Sequence, residues 1–200
     1  MKTLICAIIL VLAAGFQADG KNPIQLNEVV FRTDFDTPAE QQGWPQADFA
    51  KWDTGYHGTT SLCVRVPTDR TKGGHMIRLP LDLTRYRGCQ LLFECMTKAD
   101  NVSKPPAPYL GVKFMLHYQS KEAGIFWLNE NGVHGTFDWR KLQFAIRIAP
   151  DATDGEINLG LQDSSGTAWF DAVKITVIKK PLERPRPPIN PPPVFRGHDL

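Results

Sequence analysis

From about Asn27 to Lys180 the chain is a succession of short segments in which apolar and polar residues alternate, and this period of two constrains the fold more than any other feature. In YLGVKFMLHYQ the even positions Leu110, Val112, Phe114, Leu116 and Tyr118 are apolar, while the odd ones include Lys113, His117 and Gln119. In KLQFAIRIA, Leu142, Phe144, Ile146 and Ile148 oppose Gln143 and Arg147; in EINLGLQ, Ile157, Leu159 and Leu161 oppose Glu156, Asn158 and Gln162. EVVFRTDF, SLCVRV, HMIRLPL, CQLLFECMT, GIFWL and AWFDAVKITVI are likewise rich in β-branched or aromatic residues. Turn signals such as HGTT, TKGG, NENG and DATDGE separate them, and no helical stretch of convincing length intervenes. One buried and one wet face, repeated over nine or so strands, predicts an all-β chain. The expected architecture is a two-sheet antiparallel β-sandwich over 27–180.

One strand carries an acid where its pattern expects none. Counted at period two from Trp169, GTAWFDAVKI puts Asp171 on one face with Val173, Ile175 and Val177, the more apolar side. A bare carboxylate there costs several kcal/mol, so Asp171 needs a partner or a place at the wet end of the strand.

The 200 residues carry a formal net charge of +2 and are 42% hydrophobic, which suits one domain with an ordinary core. Such a balance gives no electrostatic footprint for nucleic acid or an acidic membrane surface. The N-terminus opens with Lys2, continues through LICAIILVLAAG and ends in QADGKN, the layout of a secretory signal peptide over residues 1–19. Its apolar run is too short to span a bilayer comfortably, and Cys6 within it is not placed for lipid attachment. The mature chain is thus expected to be soluble, secreted or periplasmic, with no membrane contact after cleavage. Cys63, Cys89 and Cys95 then remain, an odd number. Cys89 and Cys95 stand six residues apart on one strand, roughly 20 Å, which forbids a bond between them. A pairing of Cys63 with either is open, and buried free thiols are the plainer expectation. Residues 181–200 are proline-dense, which favours an extended linker toward a downstream domain; a disordered or docking tail is the alternative.

Motifs for catalysis are missing. There is no GxSxG, P-loop, GxGxxG after a strand or HExxH, and the five histidines stand singly. The acids form no short cluster that would place two carboxyls across one strand. The aromatic content of 10%, with five Trp, says more. Aromatic faces cover the apolar faces of sugar rings, while neighbouring amides and charges hydrogen-bond the hydroxyls. The wet strand faces supply Glu94, Lys113, His117, Asn158 and Gln162 as such polar groups, and Trp127 and Tyr109 are the aromatics expected to be exposed. Trp139 and Trp169 read as core.

The segments FRTDFDTPAEQQGW, GYHGTTSLCV and GTAWFDAVKI, in that order, resemble the jelly-roll carbohydrate-binding modules of the galactose-binding-like fold, especially the CBM4/9/22-like group attached to secreted glycoside hydrolases. The resemblance covers roughly residues 29–178. It implies a non-catalytic module that binds polysaccharide or oligosaccharide and targets a catalytic domain in the same chain. It also implies a structural Ca2+ where the first and last strands meet, held by Asp171, Asp36 and a backbone oxygen near Thr60. An aspartate satisfied by backbone N–H groups in a turn is the alternative for Asp171. A sandwich that merely spaces its neighbours, and a sandwich-fold glycosidase or lyase, are the alternative functions.

Overall fold

The computed structural model describes residues 23–182, so the N-terminal leader with Cys6 and nearly all of the proline-rich tail lie outside the described residues. Ten strands form two antiparallel sheets. The first sheet contains β2 (Ala50–Thr54), β3 (Thr60–Val66), β10 (Gly166–Lys179), β5 (Gln90–Val102) and β8 (Gly135–Arg147) in that order, and β1 (Val29–Thr33) pairs with the C-terminal half of β10. The second runs β4 (Gly74–Pro80), β9 (Thr153–Gln162), β6 (Gly111–Ser120) and β7 (Gly124–Asn129). Every segment read as a strand from its alternation is one. The additional strand is β2, whose sequence AKWDT is too short and too charged to show a period.

The alternation is resolved as expected. Val112, Phe114 and Leu116 of β6 and Ile157, Leu159 and Leu161 of β9 face inward against Leu91, Phe93 and Cys95 of β5 and Phe170, Val173 and Ile175 of β10, all buried. Phe93 joins the two layers, stacked on Phe144 at 4.8 Å between ring centroids and reaching Phe114 at 6.5 Å. Burying one such ring is worth roughly 2–3 kcal/mol. Cys63, Cys89 and Cys95 are buried free thiols. Desolvation pushes the thiol of Cys63 up to about 11 and that of Cys95 to about 12.

β10 departs from simple alternation at its acid. Asp171 pairs with Met96 but Lys174 with Glu94, so three steps along β10 match two along β5. Ala172 takes up the extra residue with φ +48°. A left-handed alanine costs on the order of 1 kcal/mol, and the effect is to reverse the strand's facing. Ala168 and Phe170 point inward before the bulge, Val173 and Ile175 after it, and Asp171 lies on the outer side of the sheet. This corrects the inward placement that an uninterrupted period of two assigns to Asp171. Trp169 and Trp139 are corrected with it. Both are half-buried outside the core, Trp169 with Asp53 3.4 Å from its indole N–H and Lys98 5.4 Å from its ring, Trp139 against Tyr56.

Candidate functional site

The outer face of the four-stranded sheet gathers the polar halves of its strands into rungs. Arg78 of β4, Asn158 of β9, Met115 of β6 and Asn129 of β7 form one; Pro80, Glu156, His117 and Trp127 form the next. Gln162 lies toward the other end, between Gly74 and Gly111. A cleft of about 660 Å³ runs over this face, walled by Trp127, Tyr109, Arg78, Lys113 and Gln162 among others. Gly160 has no room for a side chain, since a Cβ there would stand 2.1 Å from the carbonyl oxygen of His75. The row between Met76 and Lys113 is therefore bare backbone.

Two aromatics flank the opening. Trp127 is 58% exposed and Tyr109 60%, high values for side chains of this size. Trp127 stacks on His117 from the adjacent strand, ring centroids 3.9 Å apart. The Nδ1 of His117 is buried without a hydrogen-bond partner among the described residues, and Glu156 Oε1 stands 3.9 Å away. Lys113, though 2% exposed, is held by neutral oxygens: its ammonium donates to the carbonyl of Tyr109 and, at 3.2 Å, to Asn129 Oδ1. Burial pushes its pKa down to about 8, with Asp163 opposing.

Five of the six residues expected to contact sugar, namely Trp127, His117, Lys113, Asn158 and Gln162, share this face. Glu94 does not. It sits on β5 in the other sheet and accepts a 2.6 Å hydrogen bond from Lys141. Alternation sorts a residue to the inner or outer side of its own sheet but does not say which sheet that is. Arg78, Asn129 and Asn131 line the cleft without having been singled out. For Arg78 the signal was present, because the alternation of HMIRLPL turns it outward.

A second constellation surrounds Asp171. Its Oδ2 accepts the N–H of Tyr56 at 2.8 Å and the hydroxyl of Thr59 at 3.2 Å; its Oδ1 accepts the N–H of Ala172 at 2.6 Å. Desolvation nonetheless raises its pKa above the ordinary value, those three hydrogen bonds lower it, and the negative charge of Asp36 adds to the rise. Asp36 is placed by a short helical turn whose N-cap Thr37 and Glu40 form a capping box, and its Oδ1 accepts the N–H of Thr60 at 2.9 Å. Thr60 thus presents its N–H to Asp36, while its carbonyl oxygen turns toward Gly55. A Cβ on Gly55 would lie 2.5 Å from Asp171 Oδ2 and 2.7 Å from Thr60 O, so the missing side chain leaves a cradle between these oxygens. Among the described residues no three His, Cys, Asp or Glu side chains cluster as for a metal, so an ion here would depend on backbone oxygen as well as two carboxylates. That oxygen-only, partly carbonyl donor set suits a hard divalent cation.

No family model matches the sequence, and no curated protein matches it. Solved structures do. The CBM22-1–CBM22-2 tandem domain from Paenibacillus barcinonensis Xyn10C aligns with a TM-score of 0.60 at 19% identity, over 84% of this chain and 50% of that one. The CBM22-1–GH10 modules of Clostridium thermocellum xylanase 10B, complexed with xylohexaose, align at 0.56 and 13% identity, over 80% of this chain and 30% of that one. The single CBM22-1 xylan-binding domain from the Paenibacillus enzyme aligns at 0.55 and 18% identity, over 78% of this chain and 99% of that one. The chain therefore has the jelly-roll β-sandwich fold of carbohydrate-binding modules. It spans less than two thirds of the two larger structures and nearly all of the single module.

Proposed function

We propose that the protein is a non-catalytic carbohydrate-binding module that holds a polysaccharide chain in the cleft on the outer face of the four-stranded sheet. The observation that carries this reading is the presence in one cleft of two exposed aromatic side chains, Trp127 and Tyr109, and the amides of Asn129, Asn131 and Gln162. Sugar rings would lie against the aromatic faces, and Gln162, Asn129 and Asn131 would orient the hydroxyls; no bond is made or broken. Among the described residues no carboxylate lines the cleft, where a hydrolase would need two. Affinity electrophoresis of the full chain in gels containing plant, algal and bacterial polysaccharides tests it: retardation that Trp127→Ala removes supports binding, and free migration in every gel overturns it.

The same reading makes the chain an exported targeting module. Its leader-like N-terminus supports secretion, and its proline-rich C-terminal stretch supports attachment to a glycoside hydrolase, whose effective concentration at the substrate a tether would raise. No helix among the described residues is long and apolar enough to cross a membrane. A structural calcium belongs to the proposal as well. Asp171, Asp36 and the carbonyl of Thr60 would hold it, and its charge would offset the desolvated carboxylate that ties β10 to the turn at Tyr56–Gly58.

A further inference from the structure

Lys113 is an expensive residue for its position. It is 2% exposed, yet both of its hydrogen-bond partners are neutral oxygens, and no carboxylate lies within ion-pair distance of it among the described residues. Burying an ammonium without a counter-charge is costly, and a methionine would fill the same volume without that cost. An ammonium has three N–H donors, so one remains beyond those given to Tyr109 and Asn129.

The rest of the cleft points the same way. Its lining contains two charged side chains, Lys113 and Arg78, and both are cationic. Arg78 is exposed and makes no ion pair among the described residues. The two stand on either side of β9, one rung apart, with Lys113 opposite Gly160 and Arg78 opposite Asn158. Two strand spacings and one rung separate their backbones by about 12 Å, and both side chains line the same cleft, with the Lys113 ammonium on the β7 side. The acids nearby are engaged elsewhere: Asp163 accepts the N–H of Gly73 at 2.9 Å, and Glu156 faces His117 one rung further along. β7 contributes Trp127, Leu128 and Asn129 to this wall, none of them charged.

We propose that the cleft selects an anionic polysaccharide, in which a carboxylate or sulfate ester on a sugar ring is received by Arg78 and Lys113 while Trp127 and Tyr109 take the ring faces. The proposal rests on the glycan-binding reading above and specifies its ligand class. The anion supplies the contacting counter-charge that Lys113 lacks, so an ammonium that is costly in the free protein contributes to binding.

The test is affinity electrophoresis and titration of the full chain against neutral xylan and β-glucan, uronate-bearing glucuronoxylan and polygalacturonate, and sulfated carrageenan, at low and high ionic strength. The expected result is at least about tenfold tighter binding to an anionic polymer than to a neutral one, a preference that shrinks with salt. Whether the uronate or the sulfated arm binds identifies the anion. Arg78→Gln, at an exposed position, should melt as the wild type and lose most of the preference while still binding neutral polymer. Lys113→Met should also lose most of the preference, and at neutral pH it should melt above the wild type because the desolvated ammonium is gone. Equal or weaker binding to the anionic polymers would overturn the proposal while leaving glycan binding intact, as would a preference that survives Arg78→Gln. Anionic binding that persists in Trp127→Ala would overturn it too, since it would then be diffuse surface charge. No binding to any polymer, neutral or charged, defeats the glycan-binding reading itself.

Discussion

The imidazole of His117 lies against the indole of Trp127 with ring centroids 3.9 Å apart and planes inclined by 25°, so an exposed tryptophan is braced from the neighbouring strand. A braced ring loses less rotamer freedom when a sugar settles on it. Trp127→Ala should therefore reduce polysaccharide affinity at least tenfold, about 2 kcal/mol, with little change in melting temperature because the side chain is largely solvated. His117→Ala should keep the indole but free it, at a smaller cost of about threefold. Affinity gels and thermal melts on the same preparations check both.

Asp171 joins β10 to the turn at Tyr56–Gly58 through the N–H of Tyr56 and the hydroxyl of Thr59 and also accepts the N–H of Ala172 in its own strand, and an asparagine can accept such bonds on only one oxygen. Asp171→Asn should cost about 1–3 kcal/mol in urea denaturation. The pH dependence has a definite sign. Because burial raises the folded-state pKa above the ordinary 3.8, the wild-type carboxyl favours folding most below that value and loses this contribution as pH rises through its folded pKa. With chelator, the stability difference between wild type and Asp171→Asn should narrow as pH rises from acid to neutral. Excess calcium at neutral pH should widen it again if the ion binds.

Gly55→Ala probes the cradle directly. Its methyl would stand 2.5 Å from Asp171 Oδ2 and 2.7 Å from the backbone of Thr60, so the turn must shift. The variant should be destabilised by about 1–3 kcal/mol and should show no further loss of melting temperature on adding chelator, whereas the wild type should.

Lys113 gives a second pH signature. Its folded pKa near 8 lies below the ordinary 10.5, so between these values the unfolded chain binds the extra proton and stability rises with pH. Wild type should gain stability relative to Lys113→Met on going from pH 8 to pH 10.5. Binding to an anionic polymer should weaken over the same interval as the ammonium is lost. Denaturation and titration across that range measure the two effects.

The thiols of Cys63, Cys89 and Cys95 are buried, with pKa values raised by desolvation. None should react with a thiol reagent at neutral pH in the native protein, and all three should react once it is unfolded. Rapid native labelling at any of them would show that its surroundings open.

Much of this protein is legible in its sequence because a strand's side chains alternate with period two whatever they pack against. Leu110 to Tyr118 and Ile157 to Leu161 show their inner and outer faces without any coordinates, and so they predict a sandwich with one wet side to each sheet. The same rule turned Lys113, His117, Asn158 and Gln162 outward. It could not tell that Glu94, equally outward, belongs to the opposite sheet, because partner choice is set by which strands meet across the whole chain. Nor could it place Asp171, since one residue of bulge at Ala172 reverses the parity of everything beyond it and leaves no mark in composition. Arg78 and Lys113 are far apart in the chain and become neighbours only when β9 comes between β4 and β6. Local alternation determined the layers and their polarity. The registry between distant strands decided which polar residues share a cleft, because those pairings are long-range and no local pattern encodes them.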